Sequence, residues 1–148
     1  MTPVDRNDIQ IAQSIQLAVA PVFLLSAVGI VLTVLTNRLA RVIDRARKLE
    51  EIAPNASGTD LRDRQEQLRI LGRRARLMNR AITMSVVCAL LISLVVVAIF
   101  LNEFVAVNLS AVIAGLFILG MLSFISALLL FLREVFLAIG ALRLGPKR

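Results

Sequence analysis

The sequence has no histidine, no tryptophan and no tyrosine, and it contains a single cysteine. The missing histidines exclude a histidine-based catalytic triad, a histidine-ligated haem and the common zinc sites. The single cysteine, Cys88, cannot form a disulfide within the chain. A glycine-rich loop for phosphate groups is missing as well. We therefore predict that the chain is not an enzyme and that it uses no cofactor or metal ion.

Charged side chains are missing from three long apolar runs, residues 17–36, 81–101 and 105–132. A hydrocarbon core about 30 Å thick needs about 20 helical residues, so each run is long enough to cross it. With 58% hydrophobic residues and a mean hydropathy of +0.83, the chain also has more apolar surface than a soluble domain of this size can bury. The predicted fold class is an all-α membrane protein with three transmembrane helices.

A cleaved signal peptide is the alternative interpretation of the first run. The residues before it carry no net positive charge, because Arg6 is flanked by Asp5 and Asp8. The small residues Ala18 and Ala20 precede most of the apolar run, whereas a cleavage site should follow it. We therefore expect residues 17–36 to remain in the protein as its first transmembrane helix.

Basic residues are concentrated between the first and second runs, in residues 37–80, which we call the basic segment. Of the 17 Lys and Arg residues, 12 lie there, four follow the third run, and only Arg6 precedes the first. Basic flanks of transmembrane helices stay in the cytoplasm. The basic segment and the tail, residues 133–148, are therefore predicted to be cytoplasmic. Residues 1–16 and a turn at 102–104 are predicted to lie outside.

The tail and the net charge each have a further interpretation. Within the tail, the apolar residues from Val135 to Leu144 predict a separate interfacial helix resting under the bilayer. The formal net charge of +7 is also typical of nucleic-acid-binding proteins. However, six acidic residues are interleaved with the cations of the basic segment, which contains no aromatic residue for stacking on bases. We therefore predict no nucleic-acid partner.

The basic segment is predicted to form an antiparallel helical hairpin that extends the first two transmembrane helices. Apolar residues recur at three- and four-residue steps from Leu39 to Ala53, and with a heptad-like, coiled-coil rhythm from Leu61 to Ile82. Residues 54–59, rich in turn formers, are the predicted turn. Antiparallel pairing would place Asp44 near Arg69 and Asn37 near Arg76, and Asp44 is predicted to form bidentate ion pairs there.

Cations on the predicted hairpin fall on one face of each helix, as expected from helical spacing. Contact with anionic lipid headgroups, about 1 kcal/mol for each cation near the surface, accounts for most of them. A cytoplasmic protein partner is the other interpretation. The first face comprises Arg38, Arg41, Arg45 and Lys48, and the second comprises Arg69, Arg73, Arg76 and Arg80.

The first transmembrane helix has small and polar residues that recur along its length. Such residues allow helices to approach closely, so packing is the default interpretation. In a homo-oligomer the same residues could line a narrow channel, although three helices of one chain enclose none. The apolar runs contain no ionisable group at mid-depth, which argues against an ion-coupled pump. The residues are Ser14, Ala18, Pro21, Ser26, Gly29 and Thr33.

Two motifs, residues 36–47 (TNRLARVIDRAR) and 74–82 (RARLMNRAI), resemble a bacterial family of small three-span membrane proteins catalogued as a domain of unknown function. Residues 20–25 and 130–135 are also similar, so the resemblance covers nearly the whole chain. It implies location in the inner membrane and assigns no activity. The resemblance implies that Arg38, Arg41, Asp44, Arg45 and Asn79 are the polar signature of the family. The candidate site at the base of the hairpin comprises these residues together with Asn37, Arg69, Arg76 and Arg80.

The sequence thus favours a non-enzymatic, homo-oligomeric protein of the inner membrane. Its basic hairpin is predicted to bind anionic lipid headgroups or a cytoplasmic protein. The alternative function is an oligomeric ion channel or pore lined by the first transmembrane helix.

Overall fold

The computed structural model describes residues 6–51, 59–104 and 108–143. These residues form three helices, α1 Arg6–Glu51, α2 Thr59–Phe104 and α3 Ser110–Arg143, and no strand occurs within them. Each helix is long and apolar enough to cross a membrane, over Ile11–Glu51, Gln65–Asn102 and Ser110–Ala138 respectively. The predicted all-α fold class with three candidate transmembrane helices is therefore confirmed.

The helix ends differ from the prediction in two places. Residues 102–104, predicted as a turn, form the last turn of α2, and α3 begins at Ser110 although the apolar run begins at residue 105. Asn108 supports this start, because its Oδ1 accepts a hydrogen bond at 3.0 Å from the backbone N–H of Ser110, one of the N–H groups that a helix start leaves without a helical partner. Asn102 Oδ1 likewise accepts a hydrogen bond from the N–H of Leu109 at 3.0 Å.

The predicted interfacial helix of the tail is not a separate element. Helix α3 continues without a break to Arg143, so residues 135–143 extend the third transmembrane helix. No proline or glycine occurs between the apolar run and Ala138 that would end the helix there. The predicted hairpin turn at residues 54–59 lies outside the described residues, except for Thr59 at the start of α2.

The chain divides into two compact units, and each includes part of all three helices. The first unit comprises Met1–Val31 and Ser85–Ile125. The second comprises Leu32–Met84 and Ser126–Arg148. The apolar runs contribute mainly to the first unit, and the basic segment lies within the second.

Small side chains bring the helices of the first unit close together. Gly120 on α3 packs against α2, since an added Cβ would lie 3.0 Å from Ile92 Cδ1. The buried positions of α1 and α2 recur at steps of three, four and seven residues, the spacing of one helical face. They include Ser14, Ala18, Pro21 and Val28 on α1, and Ser85, Cys88, Ile92, Val95 and Ile99 on α2.

Large apolar side chains remain exposed on all three helices. Phe23 is 72% exposed, Ile30 68%, Leu90 61% and Leu129 61%. In water, the protein would lack about 25 cal/mol of hydrophobic stabilisation for each Å² of apolar surface that stays exposed. Lipid removes that penalty, so these faces are typical of a multi-pass membrane protein.

The second unit has its own hydrophobic cluster, formed by α1 and α2 within the basic segment. Val42, Leu71 and Met78 are buried at its centre. Most residues of the two predicted apolar faces therefore pack together. Ile43 is 42% exposed because it lies about 100° around the helix from Val42. Leu68 and Ile82 are not in this cluster, and Ala53 and the side chain of Leu61 lie outside the described part of the chain. Leu39, Ala46, Leu49 and Ala75 complete the cluster.

Candidate functional site

Glu134 is the centre of the candidate site because it is a fully buried carboxylate in the second unit. It lies on α3, two residues beyond the apolar run 105–132. The free-energy cost of burying a carboxylate without a positively charged partner is larger than contacts with uncharged neighbours can offset. Positive partners are therefore required around it.

Two arginines from different helices supply those partners. Arg38 on α1 donates from Nη1 to Glu134 Oε2 at 3.0 Å. Arg74 on α2 donates from Nε at 3.2 Å and from Nη2 at 2.7 Å, both to Glu134 Oε1. Each carboxylate oxygen thus accepts at least one charge-assisted hydrogen bond. We call these three residues the Arg38–Glu134–Arg74 cluster.

The two arginines of the cluster have different surroundings. The Arg38 side chain is 36% exposed and its guanidinium lies 5.2 Å from the centre of the Phe131 ring, a cation–π distance. Phe131 precedes Glu134 by three residues on α3, so both side chains lie on the same face of that helix. The Arg74 side chain is 22% exposed and makes the shorter ion pair. Arg74 is thus the more shielded partner of Glu134.

The cluster is suited to holding helices together rather than to catalysis. Its three charges sum to +1, and each oxygen of Glu134 is already bonded to a guanidinium, so the carboxylate is not free to remove a proton from a substrate. Removing one partner of a buried ion pair costs about 3 to 5 kcal/mol. Within the described ranges, no group of three potential metal-ligating side chains occurs. The cluster therefore fixes α1, α2 and α3 to one another within the second unit.

Among the candidate residues at the predicted hairpin base, only Arg38 belongs to this cluster. The prediction of bidentate ion pairs for Asp44 is wrong: its side chain is exposed and makes no ion pair among the described residues. Asp44 lies about 200° around α1 from the buried Val42, and so it points away from α2. The remaining candidates are also exposed: Asn37, Arg41, Arg45, Arg69, Arg76, Asn79 and Arg80.

Sequence reasoning missed Glu134 and Arg74 as site residues, although both lie in segments that carry the family resemblance. The sequence does contain a spacing pattern that predicts the burial of Glu134. Glu134 follows Ala127 by seven residues, and Ala127 follows Gly120 by seven, so all three lie on one face of α3. Because Gly120 and Ala127 are buried, that face is directed inward and carries Glu134 with it.

The structure divides the small and polar residues of α1 between two faces. Ser14, Ala18 and Pro21 are buried within the first unit. The other three are exposed, and an added Cβ at Gly29 would meet nothing within 4 Å apart from its own helix. These exposed residues, Ser26, Gly29 and Thr33, form what we call the small face of α1.

Arginines also form a stripe on α2. Arg62, Arg69, Arg73 and Arg76, which we call the arginine stripe, border an open cavity of about 750 Å³. At 100° per residue they lie within about 40° of one direction, and that direction is opposite the buried Leu71. The stripe therefore points away from the hydrophobic cluster of the second unit. Gln65, Glu66 and Ile70 border the same cavity.

Comparison with protein families identifies a match. A family model described as "Protein of unknown function (DUF2721)" matches residues 18–144, which is most of the chain and includes the Arg38–Glu134–Arg74 cluster. The match agrees with the family resemblance drawn from the sequence. No curated protein and no solved structure matches the chain.

Proposed function

The chain belongs to the DUF2721 family, whose description assigns no activity, and we propose that it is a non-enzymatic, homo-oligomeric protein of the bacterial inner membrane. In this proposal its N-terminus lies outside and its C-terminus inside. The basic segment forms a cytoplasmic helical hairpin that binds anionic lipid headgroups.

The observation that carries the lipid part of the proposal is the exposure of arginines at the ends of the apolar runs. Arg41, Arg76, Arg80 and Arg133 are all exposed. Each lies within five residues of an apolar run, which is about 8 Å along a helix. The headgroup layer is about 5 to 8 Å thick on each side of the bilayer, so a long guanidinium side chain can reach it from these positions.

The distribution of charge supports the proposed orientation. Arginines flank the end of the first run, the start of the second run and the end of the third run, whereas the opposite ends have only Arg6 in the N-terminal segment. A bias of this kind favours a cytoplasmic location for the arginine-rich flanks. Anionic lipids of the cytoplasmic leaflet would then be within reach of the guanidinium groups.

The small face of α1 supports self-association. Transmembrane helices associate through small residues that let two backbones approach, and Gly29 leaves such space on an exposed face. The basic segment opposes association through its own surface, because 12 cations minus six acids give it a net charge of +6. We therefore assign self-association to the transmembrane part of α1.

Native mass spectrometry of the purified protein with mixed lipids tests the headgroup interaction. We expect preferential retention of phosphatidylglycerol over phosphatidylcholine. Arg76→Gln/Arg80→Gln should lower that preference about 30-fold, since the variant removes two cations that each contribute about 1 kcal/mol near the surface. Arg47→Gln/Lys48→Gln is the matched control, because these exposed cations lie about 17 Å beyond the first run. Equal retention of both lipids by the unmodified protein would refute the headgroup interaction.

Cross-linking in native membranes tests self-association. We expect the unmodified protein to give cross-linked oligomers and Gly29→Leu to reduce them several-fold, because the added side chain separates the helices. Ala27→Leu adds a similar side chain to an exposed position about 160° away on α1 and should leave the oligomers intact. A protein that stays monomeric at native density would contradict the proposal.

An oligomeric channel lined by α1 is the second candidate function. The exposed hydroxyl-bearing residues Ser26 and Thr33 favour it, since they would face the axis of an oligomer built on the small face. Ser14, Ala18 and Pro21 are buried within the protomer and do not contribute to such a lining. Purified oligomers should then conduct ions across planar bilayers, and Ser26→Leu should change the current. A confirmed oligomer that does not conduct would exclude this function.

A further inference from the structure

We propose that the arginine stripe of α2 is a docking surface for an acidic polypeptide segment. This inference deepens the proposed function by giving the basic segment a protein partner in addition to lipid. It rests on the proposed cytoplasmic location of the basic segment, but it does not depend on lipid binding or on self-association.

Distance from the membrane separates the outer half of the stripe, Arg62 and Arg69, from the lipid-binding arginines, which include Arg76 at its inner end. Helix α2 is continuous, and Arg69 and Arg62 precede its apolar run by 12 and 19 residues, about 18 and 28 Å along the helix. A tilt of about 20° shortens these heights by less than a tenth. The headgroup layer and the screening length of about 8 Å at physiological salt both end below Arg69. Anionic lipid therefore cannot account for the outer half of the stripe.

The stripe is also not used within its own unit. It lies opposite Leu71, one of the two buried residues of α2 in the hydrophobic cluster, and Arg62, Arg69, Arg73 and Arg76 are all exposed. None of the four makes an ion pair in the part of the chain that the structure describes. Their charges are thus available to an external partner along about 21 Å of helix.

The chemistry of the stripe favours a polypeptide over the other polyanions. Ile70 borders the same cavity and is 47% exposed, which offers an apolar contact beside the guanidinium groups. Protein interfaces are enriched in arginine and combine it with apolar contacts. A nucleic acid would instead place phosphates against Glu66, which lies between Arg62 and Arg69, and would find no aromatic residue in the basic segment.

A second copy of the chain is a poor partner for the stripe. The basic segment of another copy also carries a net charge of +6, from 12 cations and six acids, and would repel it. Charge complementarity requires a segment with several Asp or Glu residues spaced over a similar length. We expect such a segment in a cytoplasmic protein, bound with strong dependence on salt.

The test uses the full-length protein in nanodiscs of phosphatidylcholine, which leave both faces accessible. The probe is a fluorescent peptide of about 16 residues built from Glu-Ala-Ala-Glu repeats, matched in length to the stripe as a helix. We expect saturable, salt-sensitive binding that Arg62→Glu/Arg69→Glu weakens about tenfold or more. Arg47→Glu/Lys48→Glu makes the same change in net charge on α1 and should weaken binding by about twofold or less.

Three results would overturn the inference. One is the absence of saturable peptide binding, and another is an equal loss in both double variants, which would indicate unspecific attraction to the basic segment. The third is tighter binding of a single-stranded oligonucleotide of equal charge that is lost in Arg62→Glu/Arg69→Glu, which would assign the stripe to nucleic acid. The milder variant Arg62→Gln/Arg69→Gln is the control for misfolding. If its circular dichroism spectrum is like that of the unmodified protein, weaker binding is due to the lost charges and not to a lost fold. These variants should still retain phosphatidylglycerol in preference to phosphatidylcholine, which distinguishes a failure of this inference from a failure of the proposed lipid binding.

Discussion

Arg74 donates two hydrogen bonds to one oxygen of Glu134, whereas Arg38 reaches the other oxygen with one. The two arginines therefore contribute unequally to the same carboxylate. The difference in exposure, 22% for Arg74 and 36% for Arg38, acts in the same direction because water screens the Arg38 ion pair more. The cluster should respond asymmetrically when one guanidinium is removed.

Replacing each arginine by methionine measures this asymmetry, because methionine keeps much of the apolar stem. We expect Arg74→Met to lower the free energy of unfolding by about 2 to 4 kcal/mol and Arg38→Met by about 1 to 2 kcal/mol. Thermal unfolding in detergent, followed by helical circular dichroism, gives the order of the two variants. An equal or reversed order would show that the hydrogen bonds of Arg74 do not dominate the cluster.

Glu134→Gln tests the charge of the cluster at nearly constant shape. It leaves two guanidinium groups facing a neutral amide, so we expect a loss of about 2 to 3 kcal/mol in the free energy of unfolding. Adding Arg74→Gln to this variant should cost less than it does alone, since the counter-charge is already gone. Glu66→Gln is the control at an exposed acid of α2 and should change stability by less than about 0.5 kcal/mol.

Ser85→Ala should be neutral or stabilising. The Ser85 hydroxyl is fully buried and has no hydrogen-bond partner among the residues that the structure describes, so the native state carries the cost of its desolvation. Its removal should raise the free energy of unfolding by up to about 1 kcal/mol. Ser93→Ala is the matched control on the same helix, because the Ser93 hydroxyl is exposed and donates to the Ala89 carbonyl at 2.8 Å. A loss of stability in Ser85→Ala alone would point to a bound water at this hydroxyl.

Gly120 and Gly115 should tolerate side chains differently. An added Cβ at Gly120 would lie 3.0 Å from Ile92 Cδ1, whereas one at Gly115 would meet nothing within 4 Å apart from its own helix. Gly120→Ala requires only a small shift of the flexible Ile92 end, but Gly120→Leu should cost about 1 to 3 kcal/mol through overpacking. Gly115→Leu should cost much less, and thermal unfolding of the two leucine variants compares them directly.

Reporter fusions test the proposed orientation. A reporter inserted at position 56 or placed after Arg148 should be active only as a cytoplasmic fusion, and one placed before residue 1 only as a periplasmic fusion. The arginines that flank the apolar runs are the physical reason, since they resist translocation. Periplasmic activity of the insertion at position 56 would reverse the orientation and remove the proposed contact with cytoplasmic lipid.

The three helices and the packing face of the basic segment were predictable because each depends on a local pattern. Uncharged runs of about 20 residues specify transmembrane helices, and the spacing of Leu39, Val42 and Ala46 specifies which face is apolar. The start of α3 was not predictable from hydropathy, since it lies within an apolar run, where a hydrogen bond to the Asn108 side chain supports it. Apolar character alone therefore does not determine where this helix begins.

The ion pairs of Glu134 were harder to predict, because they join residues 60 and 96 positions apart in the chain. They depend on the rotation and register of α3 against α1 and α2, and composition fixes neither. Asp44 was the more obvious partner for arginine, as it is surrounded by cations in the sequence. Asp44 is exposed because it lies on the outer face of α1, and the arginines Arg38 and Arg74 form ion pairs with the buried Glu134 of α3 instead.

The burial of Cys88 allows unfolding to be followed through the accessibility of its thiol. This residue is fully buried, and it is the only thiol in the sequence. A thiol-reactive dye should therefore remain dark with the folded protein and become fluorescent as the helices separate. Variants that loosen the first unit can thus be ranked in detergent by how readily the dye reacts with Cys88, in a chain that has no tryptophan to provide an intrinsic signal.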